Sequence, residues 1–110
     1  MSDNTGNDPT RGWYQQGDVT IKPVATIPDG ASPQGGRVLA EGEATGHKHR
    51  AEAADVTLFL HDGALYMRAP SGTRILHEEH HALDIPPGDY LVGQVREYDH
   101  FAETERPVYD

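Results

Sequence analysis

The chain has 110 residues, with 18 Asp and Glu against nine Lys and Arg, a formal charge of −9 and no cysteine. That length suits one domain with one modest core, and the missing cysteine excludes a disulfide framework, a thiolate metal site and a thiol nucleophile. The acidic balance, with its basic residues scattered rather than gathered into a stripe, argues against nucleic acid and anionic membrane surfaces as direct partners.

Residues 1–12 are rich in Asn, Asp, Gly and Thr and show no periodicity, which predicts a flexible polar arm. The arm has no apolar h-region, so no signal peptide is expected, and a cytoplasmic or virion-associated location fits best. Trp13 and Tyr14 follow it, either as caps on the core or as anchors that hold the arm on a protein partner or a second copy. Residues 17–25 alternate as a strand, with Pro23 placing it at an edge or a bulge. Residues 28–36 form a loop by composition. Its glycines make no phosphate cradle, because no Gly-Lys-Ser/Thr pattern follows.

Residues 37–44 read as the next strand, Thr45-Gly46 as a turn and residues 47–53 as another strand. Residues 56–60 are the most apolar run and the expected central strand. His61-Asp62-Gly63 leads into residues 65–68 as a hairpin, and Asp62-Gly63 suits a type I′ turn, which needs positive φ at both central positions. Short strands follow at 74–76 and 82–85, then a Pro86-Pro87-Gly88-Asp89 turn and a last strand at 90–98. The tail from 99 to 110 is charged and irregular. No segment longer than about ten residues carries a 3.6-residue period. No run approaches the roughly 18 apolar residues of a membrane span. The expected fold is all-β: a single small barrel or sandwich of about seven to eight short strands over residues 13–98.

Six of the seven histidines fall between Gly46 and His81. Gly46-His47-Lys48-His49 opens this stretch and His77-Glu78-Glu79-His80-His81 closes it. On a strand, His47 and His49 point to one face about 6.5–7 Å apart, which lets both imidazoles reach one ion at about 2.0–2.1 Å. In the second group an extended chain puts His77, Glu79 and His81 on one face, whereas a turn brings His77 and His80 together. His61 flanks the hairpin turn. Glu52 is read as a strand-exposed acid, and Ser2, Ser32 and Ser71 lie in the arm or in loops, which gives Ser-His-Asp catalysis little support. Without a metal, a pair such as His80 and Glu79 could still serve as general base and orienter.

Five stretches, taken in order, carry a resemblance: Gln16-Gly17-Asp18-Val19, residues 40–47 (Ala-Glu-Gly-Glu-Ala-Thr-Gly-His), His77-Glu78-Glu79-His80, residues 85–90 (Ile-Pro-Pro-Gly-Asp-Tyr) and Arg96-Glu97-Tyr98. With them the chain resembles a family of small uncharacterised bacterial and phage proteins, from about residue 15 to the end. The resemblance implies no activity. The likeness to the cupin barrel is looser and architectural: the acid after His47-x-His49 comes too early, and His77 to His81 precede the Pro87-Gly88 turn instead of following it.

Two functions are therefore expected. In the first, a small β-domain gathers His47, His49, His77, His80 and His81, with Glu79, around a divalent transition metal such as zinc or iron. In the second, the chain is a structural or assembly module of a phage or compartment shell, working through its N-terminal arm.

Overall fold

A computed structural model describes residues 6–8 (as backbone), 12–42 and 44–95. The strands there are β1 (Gly6–Asp8), β2 (Trp13–Gln16), β3 (Val19–Val24), β4 (Ser32–Gln34), β5 (Val38–Glu41), β6 (Lys48–Ala51), β7 (Thr57–His61), β8 (Ala64–Ala69), β9 (Thr73–Leu76), β10 (Leu83–Ile85) and β11 (Gly88–Gln94). No helix occurs among the described residues, and so none there is long and apolar enough to cross a membrane. Seven strands form one sheet in the order β1-β2-β3-β11-β8-β7-β4, and four form a second in the order β10-β9-β6-β5. The fold is all-β, as expected, and is a two-sheet sandwich.

Both sheets feed one core. The larger sheet contributes Val19, Ile21, Leu58, Met67, Ala69, Tyr90 and Val92, and the smaller contributes Leu39, Ala51, Ile75, Leu83 and Ile85. Period-two alternation is the cause, because every second side chain on a strand faces the opposite sheet. Burial of a Val, Leu, Ile or Met side chain contributes about 1.5–3 kcal/mol, so a core of this size is held by many modest terms. In β6 the inward positions fall on His49 and Ala51. An imidazole thus occupies a core-facing place on the smaller sheet.

The strands number more than seven or eight because three segments without strong alternation still pair. Gly6–Asp8, within the stretch read as an arm, pairs with β2. Trp13 and Tyr14 belong to β2, and Lys22 Nζ stands 4.1 Å over the Trp13 ring. Ser32–Gln34, within the stretch read as a loop, pairs with β7 at the other end of the sheet, and an edge strand tolerates its Pro33. β3 itself is interior, but Pro23 lies beyond Ile21, the last β3 residue paired to β2. The β7–β8 hairpin closes with His61 opposite Ala64 and φ values of 51° at Asp62 and 78° at Gly63, the type I′ geometry expected of Asp-Gly. The tail at 99–110 and the last residues of the 90–98 strand lie outside the described residues.

Candidate metal centre

Antiparallel register brings the two histidine groups together. β6 and β9 pair with Arg50 opposite Leu76 and Ala51 opposite Ile75. Continued past the strand ends, that register sets His49 against His77, Lys48 against Glu78 and His47 against Glu79. The contacts follow it. The His49 and His77 rings lie 4.3 Å apart, the Lys48 N–H donates to Glu78 Oε1 at 2.9 Å, and His47 Nδ1 is 3.7 Å from Glu79 Oε2.

Beyond β9 the chain turns. The Glu79 N–H donates to His77 Nδ1 at 3.0 Å, so in this arrangement the neutral His77 ring carries its hydrogen on Nε2. The turn returns His80 to within 4.7 Å of the His77 ring and stacks it on His49, 5.9 Å away at 19°. His47 meets His77 edge-on at 5.6 Å. Of the two arrangements considered for residues 77–81, the turn is the one adopted. His81 is exposed, and its backbone carbonyl accepts a hydrogen bond from Gln16.

Gln16, at the end of β2, is fully buried and crosses from the larger sheet to the smaller. Its Nε2 donates to the carbonyls of Ile75 at 2.9 Å and His81 at 2.7 Å. With both amide hydrogens used, Oε1 is the atom facing His49 Nδ1 at 2.8 Å. An oxygen there requires Nδ1 of His49 to carry hydrogen, so its Nε2 presents the lone pair when the ring is neutral. Gly17 follows with φ 59°, and a Cβ on it would come within 2.5 Å of His80 Nε2. Glycine therefore serves both the turn and the close approach of His80. Asp18, next in the chain, places Oδ1 3.7 Å from His49 Nε2 and accepts from Gln94 Nε2 at 3.2 Å through Oδ2.

Burial lowers the His49 pKa from 6.5 to about 4, and His77 and His80 add to the effect while Asp18 and Glu78 oppose it. His77 is lowered by burial and then by His80. Glu78 is held below the usual carboxylate range, chiefly by the Lys48 N–H. His49 and His77 are thus held neutral beside the ionised Glu78, the charge states from which imidazole and carboxylate bind metals. Between pH 6.5 and about 4 the unfolded chain takes up a proton at His49 that the folded chain refuses. Stability is therefore greatest above that window and falls as pH drops through it, by about 2 kcal/mol from pH 7 to pH 5 for this group. Urea unfolding at the two pH values checks it, and an unchanged midpoint contradicts it.

Among the described residues, the group whose ligand atoms all lie within 4.8 Å of one another is His47, His77 and Glu78. His49 and His80 pack against His77, and Glu79 contacts His47. His61 sits at the hairpin, with Nε2 3.5 Å from Asp62 Oδ2. Glu52 lies 3.9 Å from Arg74 as an exposed pair. Sequence reasoning passed over three residues of the site: Glu78, Gln16 and Asp18. An extended chain through 77–81 puts Glu78 on the face opposite His77, whereas the turn brings it to the cluster. Gln16 and Asp18 lie far off in the chain, although the Gln16-Gly17-Asp18-Val19 stretch was a signal.

A family profile described as a domain of unknown function (DUF8820) matches residues 15–95. The chain belongs to this family. The match begins one residue before Gln16 and ends at Val95, so it takes in Gln16, Asp18 and all the clustered histidines. No curated protein matches the chain. No solved structure matches it either.

Proposed function

We propose that this DUF8820 domain binds a divalent transition-metal ion, zinc or iron being suited to the donors, through His47, His77 and Glu78. The observation that carries the reading is the convergence of two imidazoles and a carboxylate within 4.8 Å. Donors around a tetrahedral ion stand about 3.3 Å apart at normal ligand distances, so small side-chain rotations close the group. Imidazole with carboxylate suits zinc, iron, nickel or copper. The Lys48 N–H on Glu78 orients one of the three donors, as partners of metal ligands do. His77 binds the ion only when its Nδ1 gives up the Glu79 N–H, because a ring that accepts there carries its hydrogen on Nε2.

Three protein donors, one of them on an exposed residue, leave room for water in a fourth position. That pattern belongs to sites where the ion acidifies water for hydrolysis or takes a small acid as ligand. The test is metal analysis and zinc calorimetry on protein made without a His tag. At least one equivalent is expected, with an affinity reduced by Glu78→Gln. Less than about a tenth of an equivalent, with melting unchanged by added zinc, would sink the reading.

A further inference from the structure

The three-donor group leaves the most deeply set imidazole out. His49 is 5 % exposed, and its tautomer is fixed by Gln16, whose two amide hydrogens are committed to the carbonyls of Ile75 and His81. Its Nε2 lone pair therefore points away from Gln16 and faces Asp18 Oδ1 at 3.7 Å. Two electron-pair donors confront each other there. Such a contact needs a proton, a bridging water or a cation between the two atoms, and a cation is the occupant that the neighbouring donors also suit.

The separation is close to the roughly 3.3 Å that a nitrogen and an oxygen ligand span across one tetrahedral ion. His80 flanks the place: it stacks on His49 and puts Nε2 over Gly17, the residue before Asp18. The donor count points the same way. Four imidazoles with Asp18, Glu78 and Glu79 make seven side-chain donors, and one tetrahedral ion takes four.

We infer that a second cation site lies between His49 Nε2 and the Asp18 carboxylate, with His80 beside it, so that the cluster is a two-ion centre. The two-ion form rests on the metal-binding reading above. His77 stands between the sites, its ring 4.3 Å from that of His49 and 5.6 Å from that of His47. Two ions held about 3.5–4 Å apart would activate water and clamp both oxygens of an in-line displacement, as in phosphoester hydrolysis.

The test is zinc stoichiometry by calorimetry and metal analysis on the tag-free full chain and on Asp18→Asn and Glu78→Gln, each first shown to unfold cooperatively. Two equivalents in the parent and one in Asp18→Asn are expected. One equivalent in both the parent and Asp18→Asn, lost on Glu78→Gln, overturns the second site and leaves the first. Uptake lost with Asp18→Asn but kept with Glu78→Gln supports the His49–Asp18 site and overturns the first. No uptake by the parent overturns both. Copper(II) paramagnetic resonance adds a readout independent of fold: a spin-coupled pair signal in the parent, reduced to an isolated ion in Asp18→Asn, is expected. An isolated-ion spectrum in the parent at two equivalents overturns the two-ion arrangement.

Discussion

Replacing Gln16 with alanine is expected to lower folding stability by about 3–5 kcal/mol. The side chain is fully buried and serves three partners at once: the carbonyls of Ile75 and His81 and Nδ1 of His49. Each buried polar group left without a partner costs about 1–3 kcal/mol. The substitution strands two, the Ile75 carbonyl and His49 Nδ1, removes the part-buried bond to the His81 carbonyl and leaves a cavity. In a domain of this size such a loss lowers Tm by roughly 15 °C or more. Gln16→Met keeps the volume and should fall nearly as far, which separates lost hydrogen bonds from a cavity. Chemical denaturation measures both. A loss below about 1 kcal/mol in either variant would mean that water or a neighbouring group takes over the three bonds.

The second large effect is on ion binding. Replacing His77 with alanine removes the ring that touches His47, His49 and His80 and one of the three convergent donors. Loss of a residue that merely orients a ligand costs 10–100-fold in metal affinity, so loss of the ligand itself should cost about 100-fold or more. His81→Ala keeps the backbone carbonyl that Gln16 uses and should leave zinc affinity nearly unchanged. His77→Ala should also raise the pKa of His49, because the His77 charge is the largest influence on it after burial. Calorimetry reads the affinity and proton NMR of the imidazole ring reads the titration. Equal zinc affinity in His77→Ala and the parent would remove His77 from the site.

Much of the fold was legible because local chemistry and long-range pairing agree. Asp62-Gly63 between two apolar runs favours a type I′ turn, and the alternation in Gly88–Gln94 marks a strand with one buried face. Gly6–Asp8 and Ser32–Gln34 were not legible. Neither has a propensity of its own, and each is a strand only because a neighbour offers an edge. The choice between barrel and sandwich was hidden for a related reason. β11 enters between β3 and β8, a pairing no local signal announces.

The site divides in the same way. His47-x-His49 and the His77 to His81 group are visible as composition, and the i, i+3 approach of His77 and His80 was one of two readings open beforehand. Their meeting depends on a β6–β9 register set across the whole intervening hairpin. Gln16 was invisible as a site residue for a sharper reason. Nothing in a glutamine marks it as buried until the acceptors that satisfy it, on the other sheet, are known.

One consequence follows from where the β7–β8 hairpin lies. It occupies the chain between His49 and His77 yet belongs to the opposite sheet. The linear distance between the two histidine motifs therefore carries no geometric meaning. The hairpin can be lengthened or shortened by whole residue pairs at its tip while the donors keep their places. A fixed-gap motif would misjudge this centre; the invariant is which residues face each other across β6 and β9.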